Sequence, residues 1–144
     1  LKDAYGFPGM NVVQFGFGDN FDSQYLPHNY KRNSVVYAST HDSSTLKGWL
    51  DSQSEEELDR VVRYFGLKDQ EDYVWDIIRQ LMASVSDIAM FEIQDFLELG
   101  DETKINSPGT LGENWKWRAK KEDFTDSLAL KIKELSRLYG RYNG

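Results

Sequence analysis

The sequence has no cysteine in its 144 residues. That excludes a disulfide framework, thiol catalysis and a zinc ribbon. Histidine occurs twice, as His28 and His41, without the spacing that pairs two ligands on one element. No metal and no cofactor is therefore expected. Cations are in deficit: 17 Lys and Arg face 24 Asp and Glu, a net charge of −7. A chain this acidic does not offer the clustered Lys and Arg that phosphate backbones need, so no nucleic-acid partner is expected. No apolar run approaches the roughly 20 residues of a membrane helix, and no membrane partner is expected. The chain opens on LKDAYGFPGM, with neither Met nor a basic region leading an apolar run. The reading is no signal peptide, a cytoplasmic location, and a processed chain or a piece of a longer one. There is no G-x-x-x-x-G-K-[ST] loop and no G-x-G-x-x-G fingerprint. Repeats, low-complexity tracts and domain-dividing linkers are missing too, so residues 1–144 read as one unit.

What is present is a foldable globular composition, 40% hydrophobic with 4 Trp, 8 Tyr and 8 Phe. A chain of this length can bury roughly 70% of its unfolded surface. Two nearly continuous apolar runs, Asn11–Phe17 and Ser34–Thr40, read as strands covered on both faces, as in parallel sheets. Asp87–Gln94 is a third candidate, although its Ala, Met and Glu also favour helix. Between them, Ser54 and Glu57 have capping-box spacing ahead of Leu58, Val61, Val62 and Phe65, with Gly66 as the stop. Asp69 is expected to cap a helix striped with Val74, Ile77, Ile78, Leu81, Met82 and Val85. A last helix carries Leu128, Ile132, Leu135 and Leu138 and ends at Gly140. Strands alternating with helices predict an α/β fold with about three parallel strands. Three strands are few for such a sheet.

Three segments carry chemistry. In STHDSSTLKGW (residues 39–49) a buried strand runs into His41 and Asp42. Polar groups at the C-terminal end of a parallel strand are where α/β barrels hold their active sites. Asp42 can stabilise a developing cation and His41 can donate a hydrogen bond. The competing reading is that Asp42 only caps the next helix, which is predicted to begin near Ser44 or Thr45. In the second segment, Asn106 precedes a Ser-Pro-Gly loop, and Trp115 and Trp117 alternate with Lys116 and Arg118. Aromatic faces and amides suit sugar rings and hydroxyls, but both Trp packing in a core is the simpler reading. The third segment, Tyr5 to Met10, brackets Phe-Pro between Gly6 and Gly9 and allows tight backbone geometry.

Taken together, GFPGMNVVQFGF, YLPHNY, SVVYASTHDSSTLKGW, IQDFLELG and INSPGTLGENWKWR resemble the 4-alpha-glucanotransferases (amylomaltases or disproportionating enzymes, glycoside hydrolase family 77). The motifs follow the family's order and cover about residues 5 to 118. The resemblance implies the C-terminal part of a (β/α)8 barrel that is incomplete in this chain. It implies transfer of an α-1,4-glucan segment to another glucan or glucose with retention, through two carboxylates about 5–5.5 Å apart. It also implies that Asp42 is a third carboxylate, stabilising the transition state. His41, Phe15, Asp19 and Asn106 match substrate-binding positions, and the partner is a malto-oligosaccharide. The sequence departs from the family pattern at Ser43-Ser44, where Asn-Asp usually stands. The family's acid/base Glu and nucleophile Asp belong upstream of GFPGM, so none of the acids here matches them and the chain alone is expected to be inactive. Two other readings remain: a non-catalytic glucan-binding module using Trp115, Trp117 and Tyr25, or an interaction fragment that completes another barrel or self-associates through exposed edges.

Overall fold

The computed structural model describes residues 5–18 and 21–142. The expected site residue Asp19 lies outside them. Three strands, β1 (Gly9–Val12), β2 (Ser34–Tyr37) and β3 (Ile88–Met90), form a parallel sheet in the order β1-β2-β3. Asn11 pairs with Val36 and Val36 with Ala89, so these three share one face of the sheet. Val36 is fully buried there. The opposite face carries Met10, Val12, Val35, Tyr37, Ile88 and Met90, of which Val12 is buried. Of these, Met10, Ile88 and Met90 are 56%, 49% and 50% exposed. The expectation of coverage on both faces therefore holds only in part within this chain: Val12 is covered on the second face, while Met10, Ile88 and Met90 are left half-exposed.

All three strands are shorter than the apolar runs that announced them. Beyond Val12 the chain leaves the sheet as a 3-10 turn, Val13–Gly16. The buried Gln14 accounts for this: its side-chain amide donates to the carbonyls of Ala38 (3.0 Å) and Ser44 (2.8 Å). Gly16 is packed so closely that a Cβ would sit 3.0 Å from the Tyr25 carbonyl oxygen. After β3 the chain forms the short helix α4 (Ile93–Phe96) instead of continuing as strand.

The helices between β2 and β3 are α1 (Leu46–Asp51), α2 (Glu55–Phe65) and α3 (Tyr73–Met82). At the start of α2, Ser54 and Glu57 make both bonds of the expected capping box, and Gly66 ends it at φ 66°. The expected cap at Asp69 does not form. Asp69 leads a 3-10 turn, Gln70–Asp72, and its side chain accepts no capping hydrogen bond. Val85 lies beyond the end of α3 and is 55% exposed, outside the stripe predicted for it. The final helix, α5 (Asp126–Leu138), buries Leu135 and part-buries Leu128 and Ile132, but Leu138 faces water. One apolar cluster joins Val36 and Ala38 to Leu46, Trp49, Val61, Phe65, Ile77, Ile78 and Leu81. The Arg141 guanidinium ties the end of the chain to the α3–β3 link, donating to the carbonyls of Met82 (2.6 Å), Ser84 (3.0 Å) and Ser86 (3.0 Å). Among the described residues, no helix is long and apolar enough to cross a membrane.

Candidate functional site

The three strands point the same way, so the segments after them gather at one end of the sheet. After β2, Ala38 and Ser39 are still buried. The chain then turns tightly: the Ser43 amide donates to the Thr40 carbonyl (3.0 Å) and the Ser43 hydroxyl accepts from the Thr40 amide (2.9 Å). This turn lifts His41 and Asp42 out of the core, leaving their side chains 52% and 50% exposed. His41 Nε2 lies 3.3 Å from Asp42 Oδ2.

The other carboxylate oxygen, Asp42 Oδ1, accepts a hydrogen bond from Asn106 Nδ2 at 2.6 Å. The Asn106 amide also donates to the His41 carbonyl (3.0 Å). Residues 64 positions apart thus meet at two points. Trp115 completes the group, its ring 5.3 Å from the His41 ring. It reaches this position from a left-handed backbone conformation, φ 65°, with its amide donating to the Ile105 carbonyl (2.6 Å). A bulky residue there is strained, and such strain is concentrated at functional sites. Trp115 is 56% exposed, so the core reading fails for it. Trp117 is partly buried but lies outside the core cluster.

Asp42 does not cap α1. Thr45 does: its Oγ accepts from the Gly48 amide at 3.0 Å. The capping alternative for Asp42 is thereby corrected, because the helix begins one turn too far along for its carboxylate. Phe15 is 56% exposed on the turn that follows β1 and meets Tyr25 edge-on at 5.7 Å between centroids. Its neighbour Gln14 bonds directly to the segment bearing His41 and Asp42.

Two acidic residues of this region escaped sequence reasoning. Asp95 is completely buried, and its carboxylate accepts from Ser39 Oγ (2.5 Å) and the Leu46 amide (2.8 Å), bracketing the turn on both sides. Burial raises its pKa, opposed by those same donors. Glu92, which precedes α4, is half-buried, and its pKa is raised by burial and by the nearby Asp95, with His41 pulling the other way. Their only sequence signal was the position of IQD after a strand. Of Ser43 and Ser44, the departures from the family pattern, Ser43 bonds locally and closes the turn, whereas Ser44 Oγ donates to the distant Asp101 Oδ2 at 2.8 Å.

The family model for 4-alpha-glucanotransferase matches residues 1–125. The chain belongs to the 4-alpha-glucanotransferase family. It is 48% identical over 142 residues to a 4-alpha-glucanotransferase of Clostridium butyricum, an alignment spanning 98% of this chain and 29% of that protein. Against the chloroplastic/amyloplastic 4-alpha-glucanotransferase of Arabidopsis thaliana the identity is 37%, across 98% of this chain and 25% of the relative. The solved structure of an amylomaltase from Streptococcus agalactiae in complex with acarbose superposes with a TM-score of 0.93 at 35% identity, covering 99% of this chain and 29% of that one. The chain thus spans less than a third of the length of these relatives. The three-stranded parallel sheet with its interleaved helices is the C-terminal part of a (β/α)8 barrel.

Proposed function

We propose that this chain forms part of a 4-alpha-glucanotransferase that transfers α-1,4-glucan segments to another glucan or to glucose by a retaining double displacement. The observation that carries the reading is the half-exposed Asp42 at the C-terminal end of a barrel strand, held by Asn106 and His41. A carboxylate fixed there can lower the energy of the oxocarbenium-like transition state. His41, Asn106 and Phe15, with Asp19, bind the sugar around it. The nucleophile and the acid/base are assigned to no residue of this chain, so the double displacement requires residues beyond those 144. Residues 1–144 act as one unit, the C-terminal portion of the catalytic barrel. A cytoplasmic location belongs to the same reading, and cell fractionation tests it; relatives named chloroplastic/amyloplastic work in another compartment.

The test is incubation of the purified chain with maltotriose. No glucose and no longer oligomers are expected, and turnover by the chain alone would overturn the division of roles. Glucan binding without turnover is the second reading, favoured by the exposed Trp115 ring beside His41. Titration with maltoheptaose should then change Trp fluorescence, and a flat response at millimolar sugar removes it. Self-association through the open sheet face, where Met10, Ile88 and Met90 are exposed, is read by light scattering.

A further inference from the structure

The His41–Asp42 turn is held by a second segment, residues 95–106, at more points than catalysis would suggest. Asp95 binds its near end at Ser39 and its far end at Leu46. Asp101 then takes the far shoulder with both oxygens: Oδ2 accepts from Ser44 Oγ at 2.8 Å, and Oδ1 accepts from the Thr45 amide at 3.0 Å. Only five residues later, Asn106 bonds to His41 and Asp42 themselves. Between them the chain winds through a 3-10 turn, Asp101–Thr103, closed by the Lys104 amide on the Asp101 carbonyl (3.2 Å). The distance from Asp101 to Asn106 is therefore set by a short, wound path.

Gly48 makes room for this anchor. A Cβ added there would fall on the Asp101 carboxylate. The Asn106–Asp42 bond is exposed, and an exposed bond between two short side chains orders itself poorly in water. Behind it lie less exposed bonds, from the Thr45 amide to Asp101 and from the Leu46 amide to Asp95, and outlying hydrogen bonds of this kind orient the groups that do chemistry.

We propose that Asp101 is a positioning residue for Asp42, seated against Gly48 and acting through the 101–106 segment to hold Asn106 on the Asp42 carboxylate. Asp101 touches no substrate in this scheme. The proposal rests on the reading of Asp42 as the functional carboxylate, but its readout does not require sugar or turnover.

The experiment follows the Asn106 side-chain amide of the 144-residue chain by NMR, with Asp42→Ala marking the position of the resonance when the bond to residue 42 is lost. Asp101→Ala and Gly48→Ala should each move it towards that position, while melting curves show the fold retained. Ser44→Asp sets a second carboxylate against Asp101 and should move it likewise. Adding Asp101→Asn to Ser44→Asp turns the repulsion into an amide–carboxylate bond and should return the resonance towards its original place. An unmoved resonance in folded Asp101→Ala and Gly48→Ala overturns the proposal. If those two variants do not fold, failure of Asp101→Asn to reverse the Ser44→Asp shift overturns it. Turnover of maltotriose by the chain alone together with these shifts would contradict the proposed function and leave the positioning role standing.

Discussion

A single carboxylate, Asp42, carries most of the functional argument, and its surroundings explain why. The sequence left two uses open for it, capping or chemistry, because both need an Asp just before a helix. Thr45 takes the cap, which leaves one Asp42 oxygen to Asn106 and the other beside His41. Trp115 was harder to read, since its position depends on a left-handed backbone at a residue with no glycine signal. Replacing it by Ala should abolish most of any maltoheptaose-induced fluorescence change while Trp117→Phe leaves it largely intact; equal losses would contradict the placement. Asp95 was not legible at all, because its partners lie 56 and 49 residues away and no local pattern announces them. Its raised pKa has a consequence for stability. The folded chain holds this proton more tightly than the unfolded chain, so Asp95's contribution is fully present below the ordinary carboxylate range. That contribution is lost as pH rises through the raised value. Urea unfolding of Asp95→Asn measured from about pH 4 upward should show a flatter pH profile than the parent; parallel profiles would contradict this.

Elements with local signals were read well, and those shaped by distant contacts were not. Helix α2 was legible because its capping box, its apolar spacing and Gly66 all lie within a dozen residues. Strand β1 was overextended because Val13 to Phe17 look as β-prone as Met10 to Val12. What bends them out of the sheet is Gln14 reaching two carbonyls on a neighbouring segment. The start of α1, expected near Ser44 or Thr45, falls at Leu46, one or two residues on, although its capping residue was open. That assignment makes a prediction: Thr45→Ala should lower stability by about 1 kcal/mol, whereas Asp42→Ala should change it little. Urea titration of both variants checks this, and a larger loss from Asp42→Ala would return it to a capping role.

Across the whole molecule, the sequence motifs carried further than periodicity. Alternating elements gave an α/β fold, but only the five motifs pointed to a barrel enzyme, and the family match and the superposed amylomaltase agree with them. The open sheet face was not legible, because runs that are apolar throughout predict cover on both sides without saying who supplies it. Met10, Ile88 and Met90 remain half-exposed on that face. In the proposed function this chain contributes Asp42 to a glucanotransferase site whose other carboxylates lie elsewhere. The direct measurement joins the chain to the portion of the Clostridium butyricum relative that it does not span and follows maltotriose disproportionation. Glucose and longer oligomers should form, and Asp42→Asn should cut kcat by on the order of 10²–10³. An active hybrid that keeps its full rate with Asp42→Asn would contradict the account.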